Sequence, residues 1–138
     1  MPKCYCVLDL DSKSVDFSRK MLASFLDSYN VNVSVEALNE FKSAIAELVS
    51  NAVIHSQGTL VTIELNYKED EKCVYITVTD DGIGIEDIEK AKEPLYTSCG
   101  NESRAGLGFT IVEVFSDTME ILSKPNCGTI VKTSKKVN

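Results

Sequence analysis

The chain has 138 residues, 43% of them hydrophobic and 25% charged, with a formal net charge of −7 at pH 7. That length buries the core of one domain, read here as spanning 1–138. The excess of acid argues against direct nucleic-acid binding, which needs Lys and Arg to neutralise phosphates. The sequence shows no apolar run as long as a membrane span and no signal peptide, so the expected location is the cytoplasm with no membrane partner.

In chain order, 5–10 (YCVLDL) reads as a short strand. Residues 14–29 follow with Phe17, Met21, Phe25 and Tyr29 spaced by four and Leu22 and Leu26 beside them, a helix with one apolar stripe. Residues 33–55 predict a longer helix with Ser34 as N-cap and Leu38, Phe41, Ile45, Leu48, Val49 and Ala52 as its core stripe. The period then changes from helical to alternating. Val61, Ile63, Leu65 and Tyr67 share one side of a strand, and Val74, Ile76 and Val78 one side of the next, which predicts an antiparallel hairpin. A short helix at 86–91 is stopped before Pro94, and 94–105 is small and polar, a loop. A glycine-led helix from Gly106 and two closing strands, 118–124 and 129–135, complete the chain. The order implies an α+β sandwich with helices on one face of a mixed sheet.

Five cysteines, Cys4, Cys6, Cys73, Cys99 and Cys127, are an odd count without secreted-type spacing and read as reduced thiols. Cys4 and Cys6 would share one face of a strand and are not read as a metal pair.

Within the second helix, Glu47, Asn51 and His55 recur every four residues. Each step turns the side chain by only about 40°, so the three line one strip, off the main core stripe. That strip is either a solvated polar face or a functional row. Asp80 is in phase with Val74, Ile76 and Val78, on the side those residues bury. A carboxylate there must find donors, supplied either by a ligand amine or by turn capping before Asp81-Gly82. Gly82 and Gly84 permit positive φ or close approach by another backbone or a flat ligand. Gly106 and Gly108 open a helix, where free N–H groups and the dipole favour a phosphate, and Arg104 can add a charged contact.

Taken in order, E-x-x-x-N-x-x-x-H on a helix, D-x-G-x-G after a hairpin, G-x-G opening a later helix and Gly128-Thr129 near a late strand resemble the GHKL ATPase superfamily of gyrase, Hsp90, MutL and histidine-kinase ATP-binding domains. Residues 93–117 and the stretch AELVSNAVIH (46–55) resemble the bacterial anti-sigma factor serine kinases, above all those of sporulation, over about residues 8–134. The short connection after His55 and the cysteine-bearing start depart from that pattern.

The resemblance implies a two-layer sandwich of the GHKL (Bergerat) type, with helices on one face of a mixed, mainly antiparallel sheet. It implies Asn51 as ligand to Mg²⁺, Glu47 as general base, and Asp80 as acceptor from the adenine amine of ATP. Gly82 and Gly84 would lie along the adenine, Gly106 and Gly108 would offer N–H groups to the phosphates, and Arg104 would reach the γ-phosphate or the docked partner. Thr129 would stand on the adenine side, and His55 would either close the helix end or touch the ligand. The implied activity is protein-serine/threonine kinase. The implied partners are a sigma factor, held inactive, and an anti-anti-sigma protein carrying the serine, with the chain as a homodimer. The alternatives are a stress-response relative, a histidine-kinase-type nucleotide module without serine kinase activity, and an interaction protein with a vestigial pocket.

Overall fold

A computed structural model describes residues 2–85 and 105–138. Its elements run β1 (Lys3–Asp9), α1 (Ser12–Ser28), α2 (Val35–His55), β2 (Leu60–Lys68), β3 (Cys73–Asp80), α3 (Ala105–Phe115), β4 (Thr118–Ser123) and β5 (Thr129–Lys136). The helix expected at 86–91 and the loop expected at 94–105 fall largely on 86–104, outside the described residues.

The five strands form one sheet in the order β1-β2-β3-β5-β4, and every pair is antiparallel. The sheet, expected to be mixed but mainly antiparallel, has no parallel pair among the described strands. Period two sorts the side chains. Val61, Ile63 and Leu65 of β2 and Val74, Ile76 and Val78 of β3 are buried on the helix side, with Val131 of β5. Cys4, Cys6 and Leu8 of β1 lean on the same core, while Tyr5 and Val7 point to the open face and are exposed.

Ser34 caps α2 as its sequence predicts, its hydroxyl accepting from the Ala37 N–H at 3.1 Å. Asp11 does the same for α1, accepting from the Lys13 N–H at 2.7 Å. The stripe of α1 differs from its expected form. Met21, Leu22, Phe25 and Leu26 are buried, but Phe17 and Tyr29 are exposed. Ser14 and Ser18 take the inward positions near β1, with Ser14 Oγ donating to the Asp9 carbonyl at 2.6 Å. Phe17 is one residue, and therefore about 100°, away from Ser18. Tyr29 is the C-cap, where the helix has ended, and its ring lies against Phe25 with centroids 5.3 Å apart.

Helix α2 is central. It packs against α1 on one flank and α3 on the other and touches the sheet beneath. Burial therefore wraps far beyond one stripe. Ala44, Ile45, Ala46, Leu48, Val49, Ser50, Asn51 and Ala52 are all inside, whereas Leu38 near its start is only partly covered.

Candidate active site

Three connections meet where α2 ends. Ser56, the C-cap of α2, receives the Ile83 N–H on its carbonyl at 2.7 Å. The Gly82 carbonyl receives the Gly128 N–H at 2.9 Å, and the Ile83 carbonyl the Asn126 N–H at 2.6 Å. The turn after β3 is thus held between the end of α2 and the β4–β5 turn.

Gly82 and Gly84 are required by this closeness. A Cβ on Gly82 would lie 2.0 Å from the Ser56 carbonyl oxygen. At Gly84, with φ +78, it would lie 2.0 Å from the Lys124 carbonyl oxygen. Of the two kinds of approach that glycine allows, the described residues supply protein backbone at both positions.

Asp80 ends β3 on the inner face, in phase with Val78 and Ile76, and is half-buried. Its Oδ1 accepts from the Gly82 N–H at 2.9 Å, so the turn-capping reading holds. Burial nonetheless pushes its pKa above the ordinary carboxylate value, against the lowering effect of the Gly82 and Thr129 N–H groups. A carboxylate has about four acceptor sites, so capacity remains for a ligand donor. Thr129 is buried and directly opposes Asp80 across β5 and β3.

The row on α2 departs from the solvated reading at Asn51. Its side chain is buried, and both amide atoms, Oδ1 and Nδ2, lack a hydrogen-bond partner among the described residues. Leaving such an amide unsatisfied costs about 1–3 kcal/mol, so a native structure keeps one for a reason. Glu47, one turn earlier on the same strip, is half-buried. His55, the last residue of α2, is also half-buried, and burial holds its pKa below the ordinary value of 6.5, leaving it neutral at pH 7. Among the described residues, no group of three or more His, Cys, Asp or Glu could hold a metal ion. The orphaned Asn51 amide oxygen instead suits Mg²⁺ of the kind that takes one or two protein ligands and is otherwise held by phosphates and water.

Gly106 and Gly108 lie in the first turn of α3, which packs on α2. Arg104 lies outside the described residues.

Two residues of this region escape the sequence reading. Asp81 accepts from the Thr59 N–H at 2.7 Å, the Thr59 hydroxyl at 2.6 Å and the Leu60 N–H at 3.0 Å, which holds its carboxyl down at about 2. Its partners lie 21 and 22 residues away, with no local signal. Ser123 accepts the Ile85 N–H at 2.7 Å and touches the Thr129 hydroxyl at 2.9 Å. Its one available signal was phase: a serine two residues after Ile121 falls on the inner face.

Comparison with known proteins bears on the family and the fold. The family model described as histidine kinase-, DNA gyrase B-, and HSP90-like ATPase matches residues 37–137. The anti-sigma F factor of Clostridium perfringens is 40% identical over 131 residues, covering 92% of this chain and 91% of the relative. That of Oceanobacillus iheyensis is 38% identical over 131 residues, covering 92% and 87%. A solved structure of the RsbU and RsbW domains of a Mycobacterium tuberculosis protein matches with a TM-score of 0.71 at 18% identity, covering 99% of this chain and 33% of that one. The Acinetobacter baumannii histidine kinase AdeS matches with a TM-score of 0.58 at 17% identity, covering 98% of this chain and 68% of that one. At such identities the two structures bear on the fold alone. Among the described residues, no helix is long and apolar enough to cross a membrane. The chain belongs to the histidine kinase-, DNA gyrase B- and HSP90-like ATPase family and, within it, to the anti-sigma F factors.

Proposed function

We propose that the chain is a cytoplasmic anti-sigma factor that acts as an ATP-dependent protein-serine kinase, one domain throughout. It holds a sporulation-type sigma factor inactive and phosphorylates a serine of an anti-anti-sigma protein, working as a homodimer. The observation that carries the reading is Asn51, a buried amide with no partner among the described residues, one helical turn from the carboxylate of Glu47. The relatives' name, anti-sigma F factor, supports the sigma partner.

In this reading Asp80 accepts from the adenine amine and Thr129 stands beside it, while Gly82 and Gly84 let the turn that follows Asp80 close against the Ser56 and Lys124 carbonyls and so hold the adenine end of the site in place. Gly106 and Gly108 present the first-turn N–H groups of α3 to the phosphates, where the helix dipole also favours negative charge. Arg104 adds a cation near the γ-phosphate. Asn51 Oδ1 would hold Mg²⁺, which would supply neutralisation of the phosphate charge. Glu47 accepts the proton of the attacking serine hydroxyl as its Oγ bonds to the γ-phosphorus. The bond from that phosphorus to the β,γ-bridging oxygen breaks, and ADP leaves with the electron pair. His55, neutral at the helix end, has a structural role.

The test is to incubate the protein with labelled ATP, Mg²⁺ and candidate anti-anti-sigma proteins from its own genome. Phosphoserine on one of them is expected, lost by about 10²-fold or more in Glu47→Gln while ATP still binds. Wild-type phosphorylation by Glu47→Gln removes the assigned base. ATP binding with no phosphoserine on any partner rejects the kinase in favour of a binding module.

A further inference from the structure

We propose that Ser123 determines which nucleobase the site accepts, by making the Thr129 hydroxyl an acceptor only. The inference rests on the nucleotide site proposed above.

The sheet register places Ser123, Thr129, Asp80 and Val61 in one row across β4, β5, β3 and β2. Directly opposed residues share a face, and Val61 is fully buried, so the row lies on the inner face beside the end of α2. The Asp80 and Thr129 side chains stand about 5 Å apart at Cβ, as opposed residues do.

A serine hydroxyl has one proton to donate and two lone pairs to accept with. Ser123 gives its proton to the Gly128 carbonyl at 2.9 Å. One lone pair takes the Ile85 N–H at 2.7 Å. With that proton on the Gly128 carbonyl, the contact with Thr129 Oγ1 at 2.9 Å takes the polarity in which Thr129 donates and Ser123 accepts. That leaves Thr129 with no proton for a ligand. The sheet end then presents a carboxylate and an acceptor-only hydroxyl side by side. Such a pair suits an exocyclic amino group, which carries two N–H bonds. It opposes a 6-oxo purine, whose oxygen would face two acceptors with no proton between them.

Ser123 is thus a positioning residue acting through Thr129. The test measures the affinity of the full chain, with Mg²⁺, for ATP and for inosine triphosphate by titration calorimetry. Wild type is expected to prefer ATP. In Ser123→Ala the Thr129 proton is released toward the site, and the ATP-to-inosine ratio is expected to fall by about tenfold. Ser123→Thr, which keeps the hydroxyl, is expected to restore it. In a Thr129→Val background, Ser123→Ala is expected to leave the ratio where Thr129→Val alone puts it. A merely structural Ser123 would weaken both nucleotides equally, because Ile85 is loosened for both. An unchanged ratio in Ser123→Ala, or an undiminished effect without Thr129, overturns the proposal. Should Ser123→Ala fail to fold, Ser123→Cys keeps the bulk, accepts weakly and carries the same expectation. Wild type that binds neither nucleotide overturns the nucleotide reading and this one with it. Wild type that binds ATP and inosine triphosphate alike overturns this proposal alone.

Discussion

The Ile83 N–H donates to the Ser56 carbonyl at 2.7 Å, joining the turn after β3 to the end of α2. This bond brings the strand that carries Asp80 to the helix that carries Glu47 and Asn51. The contact is tight enough to forbid a side chain on Gly82, whose Cβ would meet Ser56 O at 2.0 Å. Gly82→Ala is expected to destabilise by about 1–3 kcal/mol through this overpacking. Urea unfolding measures it, and wild-type stability would mean that the turn relaxes without cost.

Asn51→Leu separates stability from function. The substitution replaces a buried amide lacking a partner with an apolar side chain of similar size. It is expected to stabilise the ligand-free protein by about 1–3 kcal/mol and to abolish Mg²⁺-dependent ATP binding. Thermal melts with and without Mg-ATP read both effects. A variant that still gains stability from Mg-ATP as wild type does would remove Asn51 from the site.

For Asp80→Asn, ATP affinity is expected to fall by about 10–100-fold, the worth of a hydrogen bond to a charged acceptor. Unchanged affinity in calorimetry rejects the adenine role. Stability should move the other way. Burial raises the Asp80 pKa in the folded state, so its linked stability is present below the ordinary 3.8 and lost as pH rises through the raised value. The asparagine cannot ionise, so the variant's stability relative to wild type should improve across that window. Urea melts between pH 4 and 7 follow the difference.

Asp81 has the opposite sign. Donation by Thr59 and Leu60 depresses its pKa to about 2 from 3.8. Its contribution is present above 3.8 and lost as pH falls from there toward 2. Asp81→Ala is expected to be less stable than wild type at pH 7, with the gap closing across that acid range. Parallel stability curves down to pH 2 would contradict the assignment.

Where the sequence was readable, the reason was period. The alternation in β2 and β3 named the inner face, and Asp80 was placed on it because phase continues through a polar residue. Ser34 was legible as a cap because capping is local chemistry. Phe17 is exposed, against the stripe of large residues, because the inward positions there go to Ser14, bonded to β1, and Ser18, bonded back to its own helix at Val15. The burial of Asn51 is not legible from α2 alone, because cover on a helix flank depends on neighbouring elements that the helix's own sequence does not name.

The amino-acid order alone determined the described elements, the phase of their strands and the ordered motifs that carry the family likeness, since these depend on residues a few positions apart. Only the tertiary structure decided that Asn51 is enclosed without a partner, that Gly82 faces Ser56, and that Ser123, Thr129 and Asp80 form one row. Each of these sets sheet register or helix packing between segments distant in the chain, and such distances are closed by packing rather than by local preference.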